Sequence, residues 1–352
     1  MKKALIAMSG GVDSAVAALC MVEDGYDCVG VTMRLHDCGA SCGAATEAAD
    51  AAAVAEGLGF PFTVLDCRAD FERQVMDHFV TAYEAGDTPN PCIRCNRYMK
   101  FSALMDYATA QGCDTLVTGH YARVCYDPAT EKYQLKKAVC AAKDQSYVLY
   151  FLTQEQLAHI RFPLGEMADK ETVRRRAEQR GFSVAHKADS QDICFVPDGK
   201  YADFIRRRTG REYPEGNFVD ETGRVLGRHK GLIAYTIGQR KGLGLALPAP
   251  LYVRRKNMED NTVLLTPNDR LFTDTLVAGD FNWVSGVTPT APVRCTAKTR
   301  YAAKESPATA TVLADGRVQV AFDTPQRAVT GGQAVVLYDG DTVLGGGTIC
   351  ET

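Results

Sequence analysis

Nowhere in these 352 residues does an apolar run approach the roughly 20 residues that a membrane-spanning helix needs. Between Met1-Lys2-Lys3 and the first glycines stand only Ala4 to Met8, too few for the apolar segment of a signal peptide. Internal repeats and low-complexity tracts are missing as well, although Ala48 to Ala55 is alanine-heavy. These absences argue against a membrane partner and predict a globular, cytoplasmic protein. An even set of cysteines is also lacking: 13 thiols cannot all pair, and in a reducing compartment they serve as core filler, metal ligands or redox groups. Finally, no lysine follows the N-terminal glycine pair. That excludes a Walker A loop, whose lysine reaches the β and γ phosphates.

What is present suffices for two or three domains with a full core, at 46% hydrophobic and 24% charged residues. Short apolar runs at 2–8, 28–35, 62–67 and 115–118 alternate with helical patterns at 15–22, 46–57, 69–85 and 98–110. Strands alternating with helices at this spacing predict an α/β fold with a doubly wound parallel sheet over residues 1–200. A hairpin is expected at 124–139, and helices at 153–160 and 169–180. Beyond residue 200 helical periodicity fades, and a small central domain is assigned to 201–272. From 273 to 352, six short alternating stretches (276–284, 293–301, 309–314, 318–322, 334–338, 343–350) predict a C-terminal β-barrel. The net charge is −3, yet residues 200–256 hold 13 Lys and Arg against 5 Asp and Glu. Such a local excess is either the footprint of a phosphate backbone or a solvated basic face.

Ser9-Gly10-Gly11-Val12-Asp13-Ser14 follows the first apolar strand. Two glycines let the backbone approach a phosphate, and the helix beginning near Asp13 aims free N–H groups and its positive dipole end there. Ser9 and Ser14 add hydroxyls, and Asp13 offers an oxygen to Mg²⁺. The plain alternative is a strand-to-helix turn, with Asp13 favoured by the helix dipole alone. The whole string resembles the PP-loop of the ATP pyrophosphatases, a superfamily that adenylates carbonyl or carboxyl oxygens.

Three thiols stand apart from the rest. Cys92 and Cys95 are three residues apart in Asn90-Pro91-Cys92-Ile93-Arg94-Cys95-Asn96, expected as a loop just before a helix. Cys194 ends the polar string Asp189-Ser190-Gln191-Asp192-Ile193. Arg94, Arg97 and the helix N-terminus are expected to lower a nearby thiol pKa. Cys20, Cys28, Cys67, Cys113, Cys125 and Cys140 lie in apolar elements and are assigned to the core. Cys38 and Cys42, with His36, supply at most three ligands where zinc wants four, so they are assigned to a glycine-rich loop.

The strings Met8 to Ser14, Thr88 to Asn96, Thr118 to Arg123, Lys143 to Tyr147, Asp192 to Phe195 and Thr236 to Gly242 are similar to those of the tRNA 2-thiouridylase family, in the same order across nearly the whole chain. The resemblance implies a tRNA-uridine 2-sulfurtransferase: ATP adenylates the C2 oxygen of the wobble uridine, in tRNAs for lysine, glutamate and glutamine, and sulfur displaces AMP. It implies Cys95 as nucleophile and Cys194 as persulfide carrier, the two able to end as a disulfide. Ala7 to Ser14, Met33 and Gly119 would bind ATP. Asn90, Pro91, Cys92, His120, Lys143, Asp144, Gln145, Arg300, Tyr301 and Gln333 would meet tRNA, and the basic central domain would add contacts. A cysteine desulfurase or sulfur-relay protein would supply sulfur. Many members carry aspartate where this chain has Cys92, a departure that leaves two chemistries open. One is persulfide transfer; the other is an iron–sulfur cluster on Cys92, Cys95 and Cys194 with one iron open for sulfide.

Two other functions share parts of the pattern. A PP-loop ligase or amidotransferase acting on a small metabolite would not need Cys95 or Cys194. A non-catalytic RNA-binding sulfur carrier would not release pyrophosphate in response to tRNA.

Overall fold

The computed structural model describes residues 2–37, 44–187 and 193–352. The expectations for Cys38, Cys42 and residues 189–192 therefore lie outside the described residues. The first sheet takes β1 (Lys3–Ala7), β2 (Asp27–Arg34), β3 (Phe62–Asp66) and β4 (Thr115–Val117). After a hairpin of β5 (Ala122–Asp127) and β6 (Lys132–Lys137), the two-residue β7 (Ile160–Arg161) completes it. The order is β3-β2-β1-β4-β7, and every pairing is parallel.

Alternation along β1 explains why both faces are covered. Leu5 joins a core with Phe101, Leu104 and Leu116, whereas Ala4 and Ile6 join the opposite core with Val16, Ala17 and Val54. The second core is roofed by α1 (Val12–Glu23) and α2 (Ala44–Leu58), and the first by the helix Leu104–Ala110. The fold is thus the expected doubly wound α/β sheet. Chain order reverses on the two sides of β1, so the crevice past the carboxyl ends of β1 and β4 is the place for a ligand.

The central region is more regular than its sequence suggests. A helix at Tyr201–Thr209 ends at Gly210, whose φ of 62° needs glycine. Four strands follow, β8 (Gly216–Val219), β9 (Val225–His229), β10 (Tyr252–Asn257) and β11 (Thr262–Thr266), in the order β10-β11-β8-β9. Part of the basic excess is consumed internally. Arg208 pairs with Glu72 and Asp77 at 2.8 and 2.6 Å and Arg211 with Glu84 at 2.9 Å, docking this region on the first domain. Arg240, Lys241, Arg254 and Arg255 remain exposed.

The C-terminal strands β12 (Phe272–Trp283), β13 (Val293–Lys298), β14 (Ser306–Val312), β15 (Val318–Arg327), β16 (Ala334–Asp339) and β17 (Thr342–Glu351) close into a barrel through pairing of β12 with β17. All six overlap the stretches expected from sequence. The apolar run in β16 has two roles: Val335 and Leu337 face the barrel interior, while Ala334, Val336 and Tyr338 enter the first domain's core. Each of the Val and Leu side chains contributes about 1.5–3 kcal/mol by burial. The β5–β6 hairpin adds to the same sheet, with Lys136 opposite Thr342. First domain and barrel share one core and one sheet.

One junction carries a buried cation. Lys256 on β10 is 9% exposed, its Nζ has no hydrogen-bond partner among the described residues, and it lies 5.8 Å from the centre of the Tyr83 ring. Burial pushes its pKa down to about 8, against the pull of half-exposed Asp87. Between that value and the unfolded value of about 10.4 the unfolded chain binds more protons, so Lys256 contributes stability that rises with pH across this window. Lys256→Met is expected to raise stability at pH 7 by about 1 kcal/mol. The gap between variant and wild type should shrink as pH rises to 10, measured by urea unfolding; a gap independent of pH would refute the assignment.

Candidate active site

The carboxyl ends of β1, β2 and β4 open onto a pocket of about 310 Å³ lined by Ala7, Met8, Ser9, Asp13, Ser14, Met33, Gly119, His120 and Gln145, together with Glu47 and Lys100. Ser14 Oγ accepts from the Ser9 N–H at 3.1 Å and donates to the Gly11 carbonyl at 3.0 Å, fixing the loop on the first turn of α1. The two glycines differ. Gly10 has φ 69°, and a Cβ there would stand 2.2 Å from the Glu47 carbonyl oxygen of α2. Gly11 caps α1 in extended conformation, with 3.6 Å to the Ser9 hydroxyl. Gly10 is therefore demanded by packing, whereas Gly11 has the room to admit a ligand. Gly119 is similarly constrained, since a Cβ would lie 2.9 Å from the Asp13–Ser14 peptide.

Asp13 differs from expectation. Lys170 Nζ lies 2.7 Å from both of its carboxylate oxygens, and the Tyr121 hydroxyl donates to Oδ1 at 2.7 Å. Both carboxylate oxygens, one of which was expected to meet Mg²⁺, are thus in contact with Lys170. Lys187 also reaches the loop, donating to the Gly10 carbonyl at 3.1 Å while pairing with Asp50 at 2.9 Å.

Cys92 and Cys95 lie in a helix rather than in a loop before one. Asn90 caps it, its Oδ1 accepting the Cys92 N–H at 3.1 Å, and Pro91 takes the first turn, where a missing N–H costs nothing. The α turn Pro91–Arg94 passes into a wide π-helical run, Cys95–Ala103. Cys194 joins this group from the other side: Ile193 and Phe195 pack in one cluster with Cys95, and thiolates at Cys95 and Cys92 would each disfavour a third at Cys194. Cys194 and Cys92 are solvent-accessible and Cys95 is half-buried. The expected arginine activation is absent. Arg94 donates to the Gln74 carbonyl at 2.8 Å and lies over the Tyr98 ring, and Arg97 pairs with Asp280. Desolvation in the recess dominates instead, pushing Cys95 up to about 11, Cys194 up to about 12, and Cys92 upward. Among the described residues no three His, Cys, Asp or Glu side chains converge as a metal-ion set. As the side chains stand, the three thiols do not converge as a cluster-ligand set, and Asp13 is held by Lys170 and Tyr121.

A third set of residues closes on Cys92. Tyr301, 44% exposed in the turn after β13, donates to the Asp144 carbonyl at 3.1 Å, and Lys143 and Cys92 are near enough to act on its phenol electrostatically. Gln333 donates to the Thr88 carbonyl at 2.6 Å, anchoring the segment that leads to Asn90. The Asp144 carboxylate is spent locally, accepting from the Ala138 and Ser146 N–H groups and the Ser146 hydroxyl. Gln145 accepts the Tyr121 N–H at 2.9 Å and lines the pocket. His120, expected to face RNA, is buried between Phe101 and Phe162, with Nδ1 2.7 Å from the Thr118 hydroxyl. Burial, reinforced by Lys100, holds its pKa well below the usual histidine range, so it is neutral at pH 7. Arg300 is exposed beside Tyr301.

Residues 2–198 match the family model described as "tRNA methyl transferase HUP domain", 202–267 the "PRC-barrel domain" of the same group, and 273–349 the "Aminomethyltransferase beta-barrel domain". The chain is 48% identical to the tRNA-specific 2-thiouridylase MnmA of Acetivibrio thermocellus over 99% of both chains. It is 46% identical to that of Clostridioides difficile over 99% of this chain and 98% of the relative, and 47% identical to that of Lachnoclostridium phytofermentans over the whole of both. This chain belongs to the tRNA-specific 2-thiouridylase family.

For a 2-thiouridylase relative the site holds three cations that motif reading missed. Lys170 and Lys187 sit 157 and 177 residues from the loop they touch, and no local pattern announces such contacts. Lys100 had a signal, five residues after Cys95, but ordinary α-helical spacing turns that position off the thiol face. Of the cysteines assigned to the core, Cys20, Cys28, Cys67 and Cys113 are buried, while Cys125 and Cys140 are half-buried.

Proposed function

We propose that this protein converts the wobble uridine of tRNA to 2-thiouridine in the cytoplasm, using ATP and a persulfide. The observation that carries the reading is a shared recess: Cys194, an exposed residue whose thiol is turned into it, and half-buried Cys95 act on each other's charge, and Lys100, which acts on both, lines the nucleotide pocket. Sulfur arriving from outside passes inward through that recess.

ATP lies over Ser9–Ser14, with α1 aiming its N-terminal N–H groups at the phosphates. The C2 oxygen of uracil attacks the α-phosphorus and pyrophosphate leaves, converting a poor leaving oxygen into AMP. A desulfurase or relay protein loads the outer sulfur onto Cys194. The Cys95 thiolate attacks the inner sulfur of that persulfide, forming a Cys95–Cys194 disulfide and expelling hydrosulfide. Hydrosulfide adds at C2, the C2–O bond breaks, AMP departs with the electron pair, and the added sulfur loses its proton to solvent. An external dithiol reduces the disulfide. The uridine must leave its stack to reach this recess, and Asn90, Pro91, Cys92 and Tyr301 border the place it would enter.

Incubation of the purified protein with ATP, a persulfide donor and unmodified lysine, glutamate or glutamine tRNA, followed by nucleoside mass spectrometry, should yield 2-thiouridine and one AMP per thiolation. Activity that required bound iron would overturn the persulfide step in favour of a cluster. Tyr301→Ala is expected to raise KM for tRNA about tenfold, the worth of one stacked base, while Tyr301→Phe retains the ring and loses only the bond to the Asp144 carbonyl. Equal KM values for all three proteins would remove Tyr301 from the RNA site.

A further inference from the structure

Lys100 lies on the helix that carries Cys95 and also reaches the pocket of the glycine loop. It lines the same pocket as Ser9, Asp13 and Gly119. It also belongs to the π-helical run that starts at Cys95, where i→i+5 hydrogen bonding brings residues five apart into register, so positions 95 and 100 share a face. Its positive charge acts on Cys92, Cys95, Cys194 and His120 alike. The other cations near this centre are committed: Arg94 and Arg97 to Gln74 and Asp280, Lys170 to Asp13, Lys187 to Asp50 and Gly10. Lys100 is half-buried and forms no ion pair among the described residues.

We propose that Lys100 is a charge-stabilising residue of the sulfur-transfer step, its ammonium standing between the phosphoryl oxygens of the adenylated base and the attacking sulfur. The inference rests on the function proposed above. The physical need is plain. Sulfur transfer brings an anionic sulfur toward a carbon that carries an anionic phosphate, and in a desolvated recess like charges repel strongly. As sulfur adds at C2 and the C2–O electron pair leaves with AMP, negative charge moves from sulfur to the departing phosphate. A fixed cation flanking both positions serves start and end of that motion without reorganising. The local π geometry places it there: a regular α-helix through Cys95 would turn position 100 aside.

The test separates this role from the overall reaction. In full-length protein without tRNA, the pH dependence of Cys95 alkylation by iodoacetamide is followed by peptide mass spectrometry. Lys100→Met should shift the midpoint upward by about one pH unit, and Lys100→Arg should restore it. With tRNA and ATP, Lys100→Met should lower thiolation on the order of 10²-fold, with Lys100→Arg intermediate and both variants melting near wild type. An unchanged Cys95 midpoint and an unchanged thiolation rate in Lys100→Met would overturn the proposal. If wild type itself makes no 2-thiouridine while the midpoint still shifts, the proposed reaction fails and the electrostatic assignment stands. A Lys100→Arg protein as impaired as Lys100→Met in the alkylation profile would also overturn it, since charge would not be the property that matters.

Discussion

Cys95→Ser and Cys194→Ser should each lose thiolation on the order of 10³-fold or more, as removal of a nucleophile does, yet keep tRNA-dependent release of pyrophosphate close to the wild-type rate. The separation follows from geometry. The loop and pocket that activate the uridine contain neither thiol, and serine is nearly isosteric with cysteine, so adenylation is spared. Free sulfide supplied in millimolar amount should restore part of the activity of both variants, because it bypasses loading on Cys194 and release by Cys95. Cys92→Ser is expected to be much milder: Cys92 contributes its capped N–H to the helix start, a backbone contact that serine preserves. Equal losses in all three variants without rescue by sulfide would sink sequential persulfide transfer. Loss of pyrophosphate release in Cys95→Ser would sink the division of labour between the two halves of the site.

A second large effect is expected from a single methyl group. Gly10→Ala places a Cβ 2.2 Å from the Glu47 carbonyl at a backbone with φ 69°, combining left-handed strain of about 1–2 kcal/mol with a clash against main chain that cannot rotate away. The loop should move, and ATP affinity should fall about 100-fold, equivalent to about 2.7 kcal/mol. Gly11→Ala, one residue on, meets only a serine hydroxyl at 3.6 Å, and the fold should tolerate it; any loss of ATP affinity there would report contact with the ligand itself. Calorimetric titration with ATP and thermal melts of both variants decide the matter. Wild-type affinity in Gly10→Ala would show that α2 yields.

Much of this was legible in the sequence where side chains alternate against one or two cores. Ala4, Leu5 and Ile6 signal themselves as an unbroken apolar run because both faces of β1 are covered, and the six barrel strands because burial of one face imposes a period of two. The central region was not legible, since β8 has four residues and β9 five, and its Arg-rich text resembled an RNA-binding surface although Arg208 turns inward to Glu72 and Asp77 and Arg211 pairs with Glu84 at the surface. At the site, the glycine loop and the thiols could be found locally. Arg94 and Arg97 misled because adjacency in sequence says nothing about partners: the two guanidinium groups are taken by the Gln74 carbonyl and by Asp280. Asn90-Pro91 did carry the signature of a helix start, which would have moved the thiols from loop to helix. Lys100 needed knowledge of a π turn, and Lys170 of a contact across the fold.

The pairing of Lys136 with Thr342 bears on how the chain is made. A ribosome delivers residues in order, and β5 and β6 emerge some 200 residues before the strand that receives them. Until β17 is synthesised, the hairpin edge and the pocket that takes Val336 and Tyr338 stay open, and unpaired edges of that kind invite association with other chains. The outer edge of that hairpin, translated early, is therefore completed last. Prematurely terminated copies would be sticky rather than partly active, and a holding chaperone would find its substrate here.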